Sequence, residues 1–564
     1  MKSISLIVSL LIISCFSLKA EEIIRERVYI HTDKDCYVAG EDIRLKFFVI
    51  NCNFQPSLLS KVGYVEICDT EKPHIQMKVA LENGSGEGHI KISKALPSGI
   101  YELSGYTRYM RNEGDNAFFK KQIAVVNVQQ QSPDPDRFEV IEKFEDISTA
   151  KDKSEENDPA NLLIYTDKNE YGNRNKVVLS VNNIPVNTAD LVISVSRNDS
   201  TVFLPEVDKT LWLNQVKNTF LFSQQWLPEY EGHIVSGSIV PKPQGQQLLS
   251  SIAFTGKDMR YFIGKINAQN GTADFYTTGI FDRQQIVTSV VSQLYNKVPY
   301  RLDLLTPFCE SLPANLPVLK IYPNEKQIMD RYINTQIQDK INNESLDNPV
   351  QFSDYYNFKP IFSYDLDEYT RFNSISETIL EFISWVRVSK IENARKIQVY
   401  IDESKRFSLR NTLVLLDGIP VYDHEDILKY NPMYIKKINI YDGRYLFGGE
   451  IFECIVSFIT YEGDLPFFQL SEGSQLLDYD CPQLPYPFEI PDYSIDEILH
   501  SRKPDFRHTL YWNPFVESIK DLPVNLSFYT SDLCGEFKVS VEGITTDGKI
   551  IRGKSYFYVT EPNK

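Results

Sequence analysis

Short stretches in which apolar and polar residues alternate fill the first part of this chain. Residues 23–128 begin with RVYIHTDKDCYVAGEDIRLKFFVI and continue as alternating segments separated by turn residues. Alternation with a period of two, interrupted by turns at this spacing, is typical of strands in a sandwich of two sheets. We therefore expect a β-sandwich over residues 21–128.

The opening phrase of that segment returns after a polar stretch. Residues 129–159 are charged and poor in aromatic side chains, which predicts a linker. IHTDKDCY at residues 30–37 is then echoed by IYTDKNEY at residues 164–171, and both phrases precede a turn and an apolar strand. A repeat in register indicates a second, related sandwich, which we place at residues 160–227.

The remaining chain divides into four segments. Residues 228–320 alternate from HIVSGSIV to ADFYTTGIF and predict a third β-domain. Residues 321–361 contain NEKQIMDRYINTQIQDKIN, whose apolar spacing predicts an amphipathic helix followed by a linker. Residues 362–468 mix a capped helix with strands, which predicts an α+β domain, and residues 469–564 form the last segment. The expected fold class is mainly β and multidomain.

LVLLDGIPVYDHEDI, at residues 413–427, carries the side chains that look most like a catalytic group. LVLL predicts a buried strand, and Asp417-Gly418 is a strong signal for a tight hairpin with residues 419–421 as its return strand. The return strand is followed by Asp423, His424, Glu425 and Asp426. On a short helix adjacent side chains diverge, so we interpret this cluster as a solvated helix, with metal binding or acid–base work as the alternative.

Composition narrows the classes of function. The chain has 33 Tyr, 33 Phe and a net charge of -17, so strands are favoured and a nucleic-acid partner is not expected. No HExxH, GxSxG or P-loop phrase occurs, and the cysteines lack CxxC spacing. We therefore expect no enzyme activity, no metal and no cofactor.

The N-terminus has the features of an export signal. Lys2 precedes an apolar stretch at residues 4–14 and a small-residue cleavage site at Ala20, which predicts a signal peptide at residues 1–20. The stretch is too short to span a membrane, so the mature chain is expected to lack a transmembrane segment. IISC, ending at Cys15, also resembles a lipobox, which would acylate Cys15 as a lipid anchor. Simple cleavage and lipidation both remain open.

Two phrases resemble known domains. HTDKxxYxxGExIxxK at residues 31–46 resembles the start of an MG2 domain, an immunoglobulin-like module of the α2-macroglobulin superfamily. This implies that the first two sandwiches are macroglobulin-type. The second copy is degenerate, because GNRN at residues 172–175 replaces AGED at residues 39–42. The GCGEQ thioester motif of protease-trapping macroglobulins is absent, so a trap mechanism is not expected.

Residues 369–463 resemble the plug domain of TonB-dependent outer-membrane receptors. The resemblance rests on LVLLDGIPV, DHEDIL, IKKINIYDG and LFGGEIFECIVSFITYEG. A basic strand, IKKI at residues 435–438, departs from the plug pattern, and no clear TonB box is present. A barrel of about 22 strands needs well over roughly 200 residues, whereas about 100 follow Gly463. We expect a plug-like domain without a barrel.

The C-terminal segment contains GDLPFFQL, LLDYDCPQLPYPFEIPDY, KPDFRHTLYWNP and LSFYTSDLCGEFKVSVEGITTDG. With these phrases and this order of domains, the chain resembles barrel-less envelope proteins of the Bacteroidota, which implies a C-terminal β-sandwich at residues 469–564. The resemblance implies an exported, outer-membrane-associated, periplasmic or surface protein, acting as a non-enzymatic binding or scaffold subunit. Its expected partner is an outer-membrane β-barrel or envelope complex; the alternative is a surface protein that captures glycans or peptides for a transporter. The expected docking residues are Asp417, Gly418, Asp423, His424, Glu425, Asp426, Arg444, Gly448 and Gly449.

Overall fold

The computed structural model of the 564-residue chain describes most residues between 24 and 561. The described ranges are 24–130, 134–140, 162–198, 202, 204–205, 207–255, 260–293, 295–321, 325–343, 359–391, 394–409, 412–447, 449–517 and 522–561. The expected signal peptide with Cys15, most of the linker at 129–159, and Gly448 lie outside the described residues. Within the described ranges, no helix combines the length and apolar character that a membrane crossing needs.

The first eight strands form a sandwich of a three-stranded sheet, β1-β3-β6, and a five-stranded sheet, β2-β8-β7-β4-β5. The strands are β1 (Glu26–Thr32), β2 (Cys36–Val38), β3 (Asp42–Asn51), β4 (Val62–Cys68), β5 (Pro73–Ala80), β6 (Ser85–Lys91), β7 (Gly99–Thr107) and β8 (Phe119–Val126). All of β1 is buried, although its sequence alternates. Tyr29 and His31 lie on the face of β1 that carries its more polar side chains. The Tyr29 hydroxyl and the His31 ring both contact the carboxylate of Glu542 in the second sandwich, so both faces of β1 are covered.

The second sandwich is built from two distant parts of the chain. Its strands are β10 (Leu163–Thr166), β11 (Glu170–Tyr171), β12 (Lys176–Asn182), β13 (Thr188–Arg197), β30 (Thr509–Asn513), β31 (Val524–Tyr529), β32 (Gly535–Thr545) and β33 (Ile550–Val559). They form the sheets β10-β12-β31 and β11-β33-β32-β13-β30. The structure thus differs from the expected separate sandwiches at 160–227 and 469–564. The four strands from residues 163–197 alone would leave unpaired edges on both sheets. The four C-terminal strands, β30 to β33, pair with those edges.

A seven-stranded sheet forms the third β unit, in the order β19-β14-β17-β16-β15-β18-β29. Its strands are β14 (Ile234–Val240), β15 (Leu248–Phe254), β16 (Arg260–Ile266), β17 (Thr272–Tyr276), β18 (Arg283–Ser292), β19 (Arg301–Leu304) and β29 (Ser474–Asp480). The expected domain at 228–320 therefore lacks its last strand, because β29 comes from beyond residue 468. β29 pairs with β18 over seven residues and forms the edge of the sheet.

The segment that was expected to be plug-like lies between β19 and β29 as an α+β unit, which we call the plug-like unit after that expectation. Its strands are β21 (Phe362–Asp365), β22 (Val386–Ile391), β23 (Ala394–Ile401), β24 (Arg406–Phe407), β25 (Thr412–Leu416), β26 (Ile419–Pro420), β27 (Ile435–Phe447) and β28 (Glu450–Thr460). They form the sheets β21-β27-β28-β25-β26 and β22-β23-β24. The chain is consequently nested: this unit interrupts the seven-stranded sheet, which in turn interrupts the second sandwich.

Short elements join these units. β9 (Phe138–Val140), in the expected linker, pairs in parallel with β20 (Leu319–Ile321). The α-helices are α1 (Lys209–Lys217), α2 (Glu325–Asn343), α3 (Ile375–Phe382), α4 (His424–Leu428) and α5 (Asp496–Leu499). The 3₁₀ helices are Tyr109–Glu113, Asp115–Ala117, Leu366–Glu368 and Pro432–Tyr434. α2 matches the helix that the apolar spacing predicts, and Arg331 on it pairs with Glu41 of the first sandwich.

Candidate functional site

The Asp-Gly turn that joins β25 to β26 is structural. Asp417 and Gly418 have φ values of 47° and 80°, as a two-residue hairpin turn of the predicted kind requires. Asp417 is fully buried, and its carboxylate accepts hydrogen bonds from Thr460 N at 2.7 Å, Thr460 Oγ1 at 2.6 Å and Leu465 N at 3.0 Å. A docking partner cannot reach this carboxylate, so the structure does not support Asp417 as a docking residue.

The acidic helix α4 is bound to the seven-stranded sheet of the same chain. Asp423 is its N-cap and accepts a hydrogen bond from Glu425 N at 3.1 Å. The carboxylates of Asp423 and Asp426 lie 3.1 and 3.3 Å from the ammonium of Lys297, just beyond β18. The charges that were expected to meet an external partner therefore meet a cation within the chain.

Glu425 has a partner as well. Both of its carboxylate oxygens accept hydrogen bonds from Arg395 on β23, at 2.7 and 2.8 Å. The Arg395 guanidinium holds the pKa of Glu425 below its ordinary value. The pair is partly exposed, so it fixes the orientation of α4 more than it stabilises the fold.

His424 differs from the expectation of a solvated side chain. It is buried, and its Nδ1 accepts a hydrogen bond from Ile397 N at 2.8 Å. Burial lowers the pKa of His424 to about 3, so the ring is neutral near pH 7. The helix packs on β23 and turns this residue inward, so His424 acts as a hydrogen-bonded core residue. Neither acid–base chemistry nor docking fits this position.

Tyr422 connects the hairpin to the sheet it faces, and sequence reasoning did not single it out. Its hydroxyl lies 2.6 Å from Ser251 Oγ on β15 and 2.9 Å from Tyr261 Oη on β16. Its ring stacks on Tyr295 at a centroid distance of 5.8 Å. Burial raises the pKa of Tyr422 to about 12. In this chain the hairpin therefore faces its own seven-stranded sheet.

The far end of the β27–β28 hairpin is exposed. Leu446 and Ile451 stand opposite each other in the register, and 69% and 57% of their surfaces are accessible. Leu409, 66% accessible, donates its backbone N–H to Glu453 Oε2, two residues from Ile451 on β28. We call the group formed by Leu409, Arg444, Leu446, Gly449 and Ile451 the hairpin-tip patch.

The hairpin-tip patch retains two of the expected docking residues, Arg444 and Gly449, both exposed. Sequence reasoning missed its three aliphatic side chains. A signal was present: from Tyr445 to Phe447 apolar residues occupy both faces of one strand, which is unusual unless both faces are covered. Among the described residues, no group of three or more His, Cys, Asp or Glu side chains is arranged to hold a metal ion.

No family model and no curated protein matches the chain. Solved structures that are similar to it include a Salmonella α2-macroglobulin reacted with methylamine, at 10% identity and a TM-score of 0.24, over 95% of this chain and 40% of that one. An Escherichia coli α2-macroglobulin activated by porcine elastase is 8% identical with a TM-score of 0.24, over 95% of this chain and 44% of that one. The native conformation of the E. coli protein is 9% identical with a TM-score of 0.23, over 95% of this chain and 40% of that one. The chain spans less than half of these proteins, and a likeness this distant carries no argument about function.

Proposed function

We propose that this chain is a non-enzymatic binding subunit of the bacterial cell envelope that docks on an outer-membrane protein complex or transporter through the hairpin-tip patch. The observation that carries the proposal is the exposed cross-strand pair of Leu446 and Ile451. Contiguous exposed aliphatic side chains with a polar rim are typical of protein–protein interaction sites. The export signal and the plug-like sequence support the envelope location.

The opposite face of the same hairpin is fixed in place. Phe447 and Phe452 pack against Tyr261 of the seven-stranded sheet, at ring-centroid distances of 5.7 and 6.4 Å. Their side chains alternate with those of Leu446 and Ile451, so the buried face holds the tip while the other face stays accessible. A patch held rigidly loses little conformational entropy when a partner binds, which favours affinity.

Charged groups surround the aliphatic pair. Arg444 is exposed two residues before Leu446, and Glu453 holds Arg406 at 3.1 Å two residues after Ile451. Such a rim contributes mainly to specificity and to the association rate. By contrast, Asp423, Glu425 and Asp426 have partners within the chain, and changing them would first disturb the chain's own packing.

Co-purification from detergent-solubilised envelopes tests the proposal. The double variant Leu446→Asp/Ile451→Asp should lose a stoichiometric membrane partner that the unaltered chain retains. Leu380→Asp is the matched control, because Leu380 is 81% accessible on α3 of the same unit but lies outside the patch. Unchanged recovery of the partner with the double variant would contradict docking at the tip.

A second candidate function is supported by a band of aromatic side chains on the plug-like unit. Neighbouring ring centroids along the band lie 4.4 to 6.4 Å apart. The band consists of Phe362, Tyr364, Tyr369, Phe372, Phe382, Trp385, Tyr400 and Phe407. All eight rings are partly accessible, and accessible rings with few polar atoms can stack on the apolar faces of sugars. This observation favours the capture of glycans.

Trp385 provides a fluorescence reporter for that candidate. Titration with xylohexaose or cellohexaose should change its emission if the band binds sugar, and Tyr369→Ala should weaken the response. Tyr230→Ala is the control, since Tyr230 is also exposed but lies outside the band. An emission spectrum that neither sugar changes would remove the glycan candidate and leave the docking proposal untouched.

A further inference from the structure

A cleft lies where the edge strands of two sheets approach each other. β5 is the edge of the five-stranded sheet in the first sandwich, and β29 is the edge of the seven-stranded sheet. Residues 76–78 of β5 and 478–480 of β29 line a cleft of about 490 Å³, and Phe308 forms part of its wall. We call this the edge cleft. Its volume is in the range of ordinary ligand-binding sites.

The chain itself shows that the outer edge of β5 can accept a strand. Gln483, just beyond β29, forms a parallel bridge at Val79: its N–H donates to Lys78 O at 2.8 Å, and its carbonyl accepts from Ala80 N at 2.9 Å. Backbone groups alternate in direction along a strand, so those of Gln76 point to the same side as those of Lys78 and Ala80. β4 pairs with one side of β5, and among the described residues no strand pairs with its outer side at residues 76–78.

Lys78 lies in this cleft as a buried cation, with the carboxylates of Glu229 and Asp480 near it but not in direct contact. It is 3% accessible, its ammonium is 3.4 Å from Nε2 of His233, and it lies 4.1 Å from the ring centroid of Tyr479. The described residues give it no ion pair with a carboxylate. Burial lowers the pKa of Lys78 to about 8, as expected for an ammonium that has lost its water.

The groups around Lys78 compensate its charge only in part, because neither nearby carboxylate contacts the ammonium directly. The carboxylate of Glu229 is already engaged, because it lies 2.9 Å from Nδ1 of His233 and accepts hydrogen bonds from the hydroxyl of Tyr64 at 2.9 Å. The hydroxyl of Tyr479 lies 2.7 Å from Nε2 of His233. Burial lowers the pKa of His233 to about 4, so the ring is neutral and contributes no charge.

We propose that the edge cleft binds an extended peptide segment of a partner protein, which adds a strand along β5 and places one carboxylate against Lys78. An exposed sheet edge supplies main-chain hydrogen bonds to such a segment, and side-chain pockets supply specificity. The carboxylate would give the buried ammonium the direct ion pair that Glu229 and Asp480 do not provide. The proposal is independent of the hairpin-tip patch, which lies on a different unit.

The opposite wall limits how acidic the peptide can be. Asp478 and Asp480 line the cleft on β29, and Arg283 compensates one of them with a contact of 3.0 Å to Asp478. A segment with several acidic residues would meet like charge there, whereas a single carboxylate can reach Lys78. We therefore expect a mostly uncharged, strand-forming segment with one Asp, Glu or C-terminal carboxylate.

Selection of phage-displayed random 12-residue peptides on the mature full-length chain tests this. Enriched peptides should contain one acidic residue among β-branched or aromatic residues, and synthetic copies should bind Lys78→Met at least tenfold more weakly. Arg301→Met is the matched control, since Arg301 is an exposed, paired cation on β19 outside the cleft. No enrichment, or equal binding to Lys78→Met, would overturn the proposal.

A backbone variant separates strand addition from a simple charge effect. Gln76→Pro removes the outward N–H from an edge strand, where proline is tolerated, and should abolish binding of the selected peptides. Gln76→Ala keeps the N–H and should bind within about twofold of the unaltered chain. Equal binding to both variants would exclude strand addition. The variant Leu446→Asp/Ile451→Asp should bind the same peptides undiminished, which separates the two proposals.

Discussion

The two copies of the TDK phrase form the same turn in very different surroundings. In the first, Tyr37 OH donates to Asp33 Oδ1 at 2.9 Å and Thr32 Oγ1 to Lys34 O at 2.7 Å. In the second, Tyr171 OH donates to Asp167 Oδ1 at 2.8 Å and Thr166 Oγ1 to Lys168 O at 2.7 Å. Asp33 is buried, whereas Asp167 is exposed. The local phrase determines the turn, and the neighbouring units determine its burial.

What buries the first copy is contact with distant parts of the chain. Thr509 Oγ1 donates to Asp33 Oδ2 at 2.8 Å from the second sandwich. Arg331 of α2 donates to both carboxylate oxygens of Glu41 at 2.6 Å, and Lys34 adds a contact of 3.3 Å. At the equivalent position the second copy has Asn175, whose side chain accepts a hydrogen bond from Gly172 N at 3.3 Å and donates one to Asn173 O at 3.0 Å, both within the same turn.

The largest expected effect comes from breaking the buried pair of the first copy. Glu41→Ala removes the carboxylate that pairs with the buried Arg331 guanidinium, which should cost about 3–5 kcal/mol of unfolding free energy. Asn175→Ala, the matched change in the second copy, should cost less than about 1 kcal/mol. Urea unfolding followed by tryptophan fluorescence measures both. Similar shifts of the two midpoints would mean that burial does not distinguish the copies.

Acid should reveal the same difference. Burial alone would raise the pKa of Glu41, but Arg331 and Lys34 hold it well below its ordinary value of 4.5. The unfolded chain therefore binds a proton more readily, so the contribution of Glu41 is complete above about pH 4.5 and is lost as the pH falls below it. The stability difference between the unaltered chain and Glu41→Gln should shrink from pH 6 to pH 3. A difference that stays constant over this range would contradict the ion pair.

Local features of the fold were predictable because they depend on neighbouring residues. The Asp417-Gly418 turn and α2 follow from sequence spacing, and the expected capped helix is α3, where Ser374 Oγ accepts a hydrogen bond from Glu377 N. The structure corrects the alignment of the repeat. Gly40 and Arg174 both have positive φ and occupy the same position of the turn. GNRN is therefore shifted by one residue relative to the expected match with AGED.

Long-range pairing was not predictable for a physical reason. A strand's alternation shows that one face is buried but carries no information about which strand lies beside it. β31 and β32 complete the sandwich begun by β12 and β13 more than 300 residues earlier in the chain, and no local pattern marks this. The same limit applies to the site, since the burial of His424 and the contacts of Tyr422 depend on β23 and the seven-stranded sheet.

The smallest expected effect distinguishes the turns themselves from their surroundings. Tyr37→Phe removes one hydroxyl from a fully buried site and leaves a lone pair of the buried Asp33 unsatisfied, at a cost of about 1–3 kcal/mol. Tyr171→Phe removes the same hydrogen bond beside an exposed carboxylate that water can solvate, so about 0.5–1 kcal/mol is expected. Urea midpoints of the two variants measure the difference directly. Equal costs would show that the turn's own hydrogen bond, rather than the contacts from α2 and the second sandwich, sets the stability of both copies.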